Sequence, residues 1–435
     1  MQQPLFEGYG AVKPSIVPAD LDLPDAEEVG ALASLGRRLL LRQLQKINLG
    51  EIRLREGDLE IRLGTRSEAC PLAVTLEVLH PQFYADAAFG GTVGAGGAYI
   101  RGLWRCSDLT ALVRIMVLNR EVMDGMDSRL AFLSRPLLRM FHWLHRNSRS
   151  GSARNIAAHY DLGNDLYRLM LDETMAYSCG IFADEQTTLA EASRAKFDAA
   201  CRKLHLQPGD HLLEIGTGWG GLAMHAAEHY GCRVTTTTIS REQHAYASEQ
   251  IAQRGLQDRI TLLLEDYRDL KGRFDKVVSI EMIEAVGARF LDTYLAKCGA
   301  LLTESGAMLL QAITIQDQHY RSALRSVDFI QRYVFPGSFI PSVSAIADSL
   351  RRVTDLKIFH LEDIGPHYAR TLALWRRNFF EKLATVRKLG YGDQFIRLWE
   401  VYLCYCEGGF AERQLGDVQM LLTRPGCRLP VVAAA

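Results

Sequence analysis

The pattern of apolar and polar residues is most regular in the second half of the chain, from Asp210 onward. Short apolar runs typical of buried strands alternate there with longer runs typical of helices. Strands are predicted over 211–215, 232–239, 260–264, 276–281 and 306–314, and helices over 219–230, 241–254 and 289–303. Strands that alternate with helices in this way indicate an α/β fold with a doubly wound sheet.

The first part of the chain has a different pattern, which indicates a small α+β domain without a catalytic cluster. An amphipathic helix is predicted over 29–48, a hairpin over 51–63, further strands over 71–80 and 98–104, and a helix over 108–119. The predicted organisation is an N-terminal arm (1–26), the small domain (27–145), a basic linker (146–155) and a larger domain (156–435).

Composition and charge limit the function classes. A chain of 435 residues with 48% hydrophobic and 23% charged residues predicts a folded protein of two domains, and a formal net charge of −1 argues against nucleic-acid binding. Nine cysteines without a CxxC pair or zinc-like spacing, and no secretory leader, predict a cytoplasmic protein without a metal site. No uncharged apolar stretch reaches the roughly 18 to 20 residues of a membrane-spanning helix, so any lipid contact is expected to be peripheral.

The strand over 211–215 runs directly into a glycine-rich turn, which predicts a nucleotide-like cofactor. Glycines at 216, 218 and 220 permit positive φ and close approach of a ligand. Their GxGxGG spacing, and the absence of an acidic residue at the end of the second strand, argue against a dinucleotide dehydrogenase. An acid, Glu214, followed by GxGxG is instead frequent among S-adenosylmethionine sites, and Asp266 is well placed for an adenine amine.

Several longer motifs stand in a fixed order along the chain. They are HYDLGNDLY (159–167), MAYSCGIF (175–182), LEIGTGWGG (213–221), SIEMIEAVG (279–287), FPGSFIPS (335–342) and HYARTLALW (367–375). In this order they resemble the cyclopropane-fatty-acyl-phospholipid synthases and the related mycolic acid cyclopropane synthases, over most of the chain. The segments 406–410 and 417–421 look like that family's last turn and strand, and the region before residue 150 is similar to the N-terminal domain of the phospholipid-acting branch.

The resemblance implies a Rossmann-like class I methyltransferase domain with a seven-stranded sheet and an insert at about 316–342 that covers the acyl chain. It implies methyl transfer from S-adenosylmethionine to the cis double bond of an unsaturated acyl chain in a phospholipid, through a carbocation that loses a proton to close a cyclopropane ring. The expected cofactor residues are Tyr177, Ser178, Glu214, Gly216, Gly218, Gly220, Thr238, Gln243, Asp266 and Tyr267.

The resemblance also implies a bound bicarbonate ion as the base, with Cys179, Glu284 and Tyr368 as its ligands. Two positions depart from the family pattern. Gln311 stands where many members have a histidine that binds bicarbonate, and Ala285 stands where a histidine usually follows the glutamate. An amide can donate to the anion but cannot take up a proton. The outcome of the reaction therefore stays open between cyclopropanation and a methylene- or methyl-branched product.

Aromatic residues are candidates for the acyl channel or for the wall that stabilises the cation. They are Tyr160, Tyr177, Phe182, Phe329, Tyr333, Phe335 and Trp375, with Arg332 on the cover. A basic and aromatic segment supplies a second lipid signal, since Arg135, Arg139 and Arg146 could hold the protein against anionic headgroups at the inner membrane face. A connecting helix packed on the neighbouring domain explains the same segment equally simply.

Two alternative functions and the role of the N-terminal domain remain open at this stage. A small-molecule methyltransferase would need no long apolar channel, and a silent lipid-binding protein would not need the intact loop at 214–221. The N-terminal domain is expected either to bind lipid or to provide the contact of a homodimer.

Overall fold

The computed structural model describes residues 30–122 and 163–430. The predicted arm over 1–26, the basic linker over 146–155, the three arginines Arg135, Arg139 and Arg146, and Tyr160 lie outside the described residues. The division into two domains near residue 150 stays a prediction.

The N-terminal part contains a four-stranded sheet in the order β2-β1-β3-β4, with helices against it. The bounds are α1 Gly30–Leu44, β1 Gly50–Glu56, β2 Leu59–Thr65, β3 Ala73–Val78, α2 Gln82–Ile100, β4 Trp104–Cys106 and α3 Leu109–Leu118. The predicted hairpin is present, because β1 pairs antiparallel with β2 and Glu56 lies opposite Leu59 at its closed end. Strand β3 is parallel to β1, and β4 closes the other edge of the sheet.

The predicted strand over 98–104 is wrong in its extent. Helix α2 runs to Ile100, and only Trp104–Cys106 forms a strand. The apolar residues Ala98, Tyr99 and Ile100 are buried at the end of a helix that is itself almost wholly buried. A helix buried on all sides shows no polar face, so its period cannot be distinguished from that of a buried strand. Its glycines, including Gly91 with φ of 59°, conceal it further.

The C-terminal part contains a seven-stranded sheet in the order β10-β11-β9-β8-β5-β6-β7. The strands are β5 His211–Ile215, β6 Arg233–Thr238, β7 Ile260–Leu264, β8 Phe274–Ile280, β9 Leu302–Ile315, β10 Lys357–Asp363 and β11 Leu415–Thr423. The helices are α4 Asn164–Met170, α5 Leu189–Lys203, α6 Gly221–His229, α7 Arg241–Gln253, α8 Leu291–Leu301, α9 Asp317–Ala323, α10 Phe329–Tyr333, α11 Val343–Val353, α12 Pro366–Glu381, α13 Leu383–Lys388 and α14 Asp393–Ala411.

Five of these strands are parallel and two are antiparallel. Strands β7, β6, β5, β8 and β9 pair in parallel, whereas β11 runs antiparallel to β9 and β10 antiparallel to β11. The strand order reverses between β5 and β8, and ligands of doubly wound folds bind outside the carboxyl ends of the strands at such a point. The predicted α/β class and the seven strands are confirmed, and the glycine turn follows β5 directly.

The segment 406–410, expected as a turn, lies instead in the last part of helix α14. That helix packs against α2 and α3 of the N-terminal part. Gly408 lets it approach, because a Cβ there would lie 2.6 Å from Cγ1 of Val113. Tyr99 donates a hydrogen bond to Glu400 at 2.8 Å across the same contact. The N-terminal part is therefore joined to the larger sheet by a packed helix face.

Within residues 30–122 and 163–430, none of the helices combines the length and the apolar character that crossing a membrane requires.

Candidate active site

A cavity of about 870 Å³ opens at the carboxyl ends of the strands of the larger sheet. The part of the cavity lined by the glycine turn after β5 is called the cofactor end, and the adjoining part lined by the segment after β8 and by the first turn of α12 is called the base end. Residues of the segment 319–340, called the cover below, contribute to its lining, and the insert expected at about 316–342 stays a prediction. Apolar side chains of the N-terminal part, among them Leu40, Ile52 and Leu76, continue the same lining. The cavity therefore runs from the glycine turn to the core of the N-terminal sheet.

The cofactor end of the cavity is shaped by glycine backbone. Gly216, Gly218 and Gly220 have φ of 102°, 54° and 89°, and a Cβ on Gly216 would lie 3.1 Å from Cγ of Met282. The N–H groups of Gly216 and Thr217 both donate to the Thr237 carbonyl at 3.1 and 3.0 Å, which ties the turn to β6. The turn then leads into α6, whose first amides face the cavity end as a helix N-terminus does.

Glu214 lies at the end of β5 under this turn and is buried. It accepts a hydrogen bond from the Thr236 hydroxyl at 2.6 Å. Burial raises the pKa of Glu214 to about 8. A carboxyl group held this way orders the turn from below, and it also lines the cavity where a ligand amine or hydroxyl could reach it.

Nine of the ten predicted cofactor residues line the cavity, and Gly220 is the one that does not. Thr238 donates to the side-chain oxygen of Gln243 at 2.8 Å, so this pair is positioned before any ligand arrives. The Tyr177 hydroxyl shares a hydrogen bond of 2.7 Å with Tyr402. Asp266 forms an ion pair with Arg268 at 2.6 Å, an arrangement that the sequence pattern did not predict. The structure brings these residues together, and their individual roles toward a cofactor stay predictions.

Lys196 is a residue that sequence reasoning missed at this end. Its ammonium group is buried in the lining and donates to the Ser178 hydroxyl at 2.5 Å. Burial lowers the pKa of Lys196, while the nearby Glu281 opposes that effect. The residue lies on α5, which none of the quoted motifs covers, so the sequence offered no signal beyond a lone lysine.

At the base end, three of the predicted catalytic residues converge on a carboxylate that was not predicted, that of Glu281. The Cys179 N–H and the Gln311 side-chain amide donate to Oε1 of Glu281 at 2.9 and 2.8 Å. The Tyr368 hydroxyl donates to Oε2 at 2.5 Å. Burial raises the pKa of Tyr368 well above its usual value, and the charge of Glu281 adds to this. These three donors surround a side chain of the protein itself.

The backbone of Glu281 is unusual. The residue follows β8 directly and has φ of 47°, a left-handed conformation that favours glycine. Its N–H donates to the Gln311 carbonyl at 2.9 Å, so residues 281 and 311 are joined through both backbone and side chain. Strained backbone of this kind concentrates at functional sites. A charged residue at the carboxyl end of a strand, three positions before Glu284, was an available signal.

Glu284 lies beside this group but binds differently. Its Oε1 accepts from the Ile313 N–H at 2.5 Å, and its Oε2 has no hydrogen-bond partner among the described residues. Burial, assisted by the charge of Glu281, raises the pKa of Glu284 to about 8. Two neighbouring carboxyl groups thus share the base end of the cavity, and burial favours a proton on Glu284.

A third carboxyl group, Asp417, lies behind Gln311. The Gln311 amide donates to Asp417 at 3.0 Å and accepts from the Gln419 amide at 2.9 Å. Burial and the charge of Glu281 raise the pKa of Asp417 well above its usual value. Gln311 is therefore fully engaged by residues 281, 417 and 419.

The predicted bicarbonate site does not fit this arrangement. Cys179, Tyr368 and Gln311 do lie together, but their donor groups are already directed at Glu281. The Cys179 thiol points elsewhere, since its sulfur donates to the Ile364 carbonyl at 3.6 Å, and burial raises the pKa of that thiol. A further anion at this position would meet the negative charge of Glu281. The expected ligand set is present, and a carboxylate of the chain occupies its centre.

The aromatic candidates divide into two groups. Tyr177, Phe329 and Phe335 line the cavity, whereas Phe182, Tyr333 and Trp375 do not. Trp375 is buried behind Tyr177 and Tyr368, with ring centroids 5.1 and 6.1 Å away. Phe329 of the cover seats against Gly96 of α2, where a Cβ would lie 2.5 Å from its ring. The cover therefore contacts the N-terminal part directly.

Comparison with known proteins shows to which family this architecture belongs. The family model for mycolic acid cyclopropane synthetase matches residues 147–420. The chain belongs to this family. The matched segment contains the glycine turn, Glu281, Glu284 and the cover. The sequence resemblance to cyclopropane synthases is thereby confirmed.

Relatives extend the similarity into the N-terminal part. The chain is 37% identical over 420 residues to tuberculostearic acid methyltransferase UfaA1 of Mycobacterium tuberculosis, covering 94% of this chain and 95% of that protein. It is 34% identical over 351 residues to cyclopropane-fatty-acyl-phospholipid synthase of Escherichia coli, covering 80% of this chain and 87% of that protein. The named activities of these relatives differ, although the similarity to both spans most of each protein.

A solved structure supports the fold and the cofactor. Mycolic acid cyclopropane synthase CmaA1, complexed with SAH and CTAB, is 30% identical, with a TM-score of 0.58, and covers 62% of this chain and 98% of its own. The predicted class I methyltransferase fold is confirmed, and the family supports S-adenosylmethionine as the cofactor.

Proposed function

We propose that this protein transfers the methyl group of S-adenosylmethionine to the cis double bond of an unsaturated acyl chain carried by a phospholipid. One observation carries the proposal: a single apolar cavity contains both the glycine turn and the buried carboxyl cluster, and extends into the N-terminal core. A long apolar chain and a sulfonium cofactor could meet there. A small polar substrate would find few partners along these walls.

The chemistry explains why an enclosed apolar site is needed. An isolated alkene is a weak nucleophile, so it must be held in line with the sulfonium methyl group. Methyl transfer leaves a carbocation on the neighbouring carbon, which water would trap. The cover over 319–340 lines the cavity and would limit the access of water, and aromatic faces such as Tyr177 can stabilise the cation without reacting with it. S-adenosylmethionine, when bound, supplies the methyl electrophile.

Two products are consistent with such a cation. Loss of a proton from the added methyl group closes a cyclopropane ring, as the name of the Escherichia coli relative states for that enzyme. A hydride shift before that proton loss gives a methylene branch instead. Methylene branching is the second candidate, because tuberculostearic acid methyltransferase UfaA1 matches more of this chain and because Gln311 departs from the cyclopropane pattern.

The residues expected to bind bicarbonate supply no step here, because their donor groups bind Glu281. The proton acceptor must come from the groups that the chain itself places at the base end.

Peripheral membrane contact is part of the proposal. Phospholipid acyl chains reach the cavity only if the protein binds a membrane surface, and Arg135, Arg139 and Arg146 are the predicted contacts. Reversing these three charges should weaken binding to anionic vesicles at low salt. Unchanged vesicle binding would contradict this contact without touching the methyl-transfer proposal.

The deciding experiment is incubation of the purified protein with S-adenosylmethionine and vesicles of monounsaturated phospholipid, followed by mass spectrometry of the released fatty acids. A gain of one CH2 with loss of the double bond indicates cyclopropanation, and the same gain with the double bond retained indicates branching. Vesicles of fully saturated phospholipid are the control and should gain nothing. No gain with any monounsaturated phospholipid overturns the proposal.

A further inference from the structure

The base end of the cavity contains a carboxylate that the family resemblance does not explain. Glu281 stands at the centre of three donors, the Cys179 N–H, the Gln311 amide and the Tyr368 hydroxyl. All three contacts donate to it, so the carboxylate is bound as an acceptor. The same residues are those to which the resemblance assigns bicarbonate.

We propose that Glu281 is the catalytic base, and that its side chain performs in this protein the task that a free bicarbonate ion performs in the resembled enzymes. The inference rests on the proposed function, because it concerns the proton that leaves after methyl transfer.

Two features of the chain support this assignment together. Glu281 supplies a carboxylate, and Gln311 stands where a histidine is expected. A glutamine amide donates to the carboxylate at 2.8 Å and cannot compete with it for a proton. The two residues are also joined by the backbone hydrogen bond from residue 281 to residue 311. They therefore form one local unit.

The position of the side chain also favours a chemical role. Glu281 lines the cavity, so its carboxylate faces the space that the acyl chain and the methyl donor would share. The chain holds it there in a backbone conformation with φ of 47°, which an ordinary structural residue would avoid. Lys196 is buried in the same lining, and its ammonium group and the Glu281 carboxylate attract each other.

The reaction balances with this assignment. The C–S bond of the donor breaks with its electron pair remaining on sulfur, and the alkene π electrons form the new C–C bond. A C–H bond of the added methyl group then breaks, and its electron pair closes the ring onto the cationic carbon. After a hydride shift, the same electron pair forms a methylene double bond instead. In both cases the proton goes to an oxygen of Glu281 and leaves to water when the product departs.

Glu284 and Asp417 have a different part in this scheme. Their raised pKa values favour protonated carboxyl groups beside Glu281. Protonated neighbours place no further negative charge beside Glu281 in this cluster. They are positioning residues for Glu281.

The test compares turnover in carbonate-free buffer with turnover after addition of sodium bicarbonate, using monounsaturated phospholipid vesicles. The wild-type protein should turn over equally well in both buffers. Glu281→Gln should lower kcat by about 100-fold or more, the usual size for loss of a positioned base, and bicarbonate should not restore it because the amide fills the site. Affinity for S-adenosylhomocysteine, measured by calorimetry, should stay unchanged in this variant.

A second variant removes the side chain and keeps the unusual backbone. Glu281→Gly should lose turnover in carbonate-free buffer and regain it with added bicarbonate, most fully when combined with Gln311→His. Glu249→Gln, on the exposed side of α7, is the matched control and should behave as wild type.

A wild-type protein that needs added bicarbonate, or a Glu281→Gln variant that keeps its turnover, overturns the inference while leaving methyl transfer intact. A wild-type protein that methylates no unsaturated chain in either buffer overturns the proposed function itself.

Discussion

The two ends of the cavity are built on different principles. At the cofactor end, glycines with positive φ shape the backbone, and most polar side chains bind one another in pairs such as Thr238 with Gln243. At the base end, the residue with positive φ is Glu281, which carries a side chain, and the buried carboxyl group of Glu284 lies beside it. The cofactor end therefore depends on the absence of side chains, whereas the base end depends on the presence of one.

The difference separates what the sequence could predict from what it could not. Glycines and an acid at fixed spacing after a strand are a local pattern, and the structure places nine of the ten predicted residues along the cavity. The base end is assembled from β8, β9, α12 and the segment before α5, which lie far apart in sequence. The family resemblance predicted most residues of the base end. The central position of Glu281 became clear only from the structure, in which these elements lie together.

Other predictions from the sequence were wrong for physical reasons of the same kind. Helix α2 was missed because burial on every side erased its polar face, and α14 was taken for a turn at 406–410 because its close packing uses glycines. Lys196 was missed because only the fold brings it next to Ser178. Strands β5 to β9 were predictable, since each depends on a continuous apolar pattern along the chain, whereas the count of seven strands came from the resemblance.

The largest effect should come from filling the backbone space at the cofactor end. Gly216→Val forces a β-branched residue to φ of 102° and places its Cβ 3.1 Å from Met282. We expect binding of S-adenosylhomocysteine to fall below detection by calorimetry, with activity lost as well. Gly255→Val is the control, because it imposes a comparable positive φ of 66° where a Cβ would meet no atom within 4 Å. Cofactor loss in both variants would mean that global destabilisation, and not the turn, is responsible.

The next effect should appear at the base end alone. Tyr368→Phe removes the hydroxyl that donates to Glu281 at 2.5 Å. A hydrogen bond to a charged group contributes about 1.5–3 kcal/mol, so kcat should fall about 10- to 100-fold with cofactor affinity unchanged. The control is Tyr294→Phe, which removes a buried hydroxyl bonded to Ser279 at 2.8 Å outside the cavity lining. Equal loss of kcat in the two variants would count against a role specific to Tyr368.

The pH dependence of the free energy of unfolding should report on one buried carboxyl group from each end of the cavity, Glu214 and Glu284. The folded-state pKa values of Glu214 and Glu284 are raised from 4.5 to about 8, so the native state holds more protons than the unfolded state between these values. The free energy of unfolding should therefore fall as pH rises through this window, by at most about 1.4 kcal/mol per pH unit for each group. Below the unfolded-state pKa this contribution is fully present, and it is lost as pH passes the folded-state pKa.

Urea titrations across this window should show a shallower slope for Glu284→Gln, and a similarly shallower slope for Glu214→Gln, than for wild type. The double variant should lose both contributions, since neither residue is among the groups that shift the pKa of the other. An unchanged slope in either single variant would show that the corresponding carboxyl group is ionised in the folded protein at neutral pH.

The smallest effect should come from the contact between the cover and the N-terminal part. Gly96→Ala places a Cβ 2.5 Å from the Phe329 ring, and overpacking of this kind costs about 1–3 kcal/mol. We expect a lower melting temperature and a higher KM for phospholipid, with affinity for S-adenosylhomocysteine unchanged. Adding Phe329→Leu should recover part of the loss. Gly209→Ala, where a Cβ would meet nothing within 4 Å and which lies outside the cavity lining, is the control.

The continuation of the cavity into the N-terminal part has a thermodynamic consequence. Ile52 and Leu76 belong both to the buried core of the small sheet and to the wall of the cavity. Empty space inside a core removes dispersion contacts. In measured cases this lowers the free energy of unfolding by about 24 cal/mol per Å³ of cavity volume. An acyl chain that fills the space restores those contacts and binds only the folded state, so it shifts the unfolding equilibrium by mass action. The substrate would then act as a reversible part of the hydrophobic core, and the protein would be most stable where unsaturated lipid is abundant.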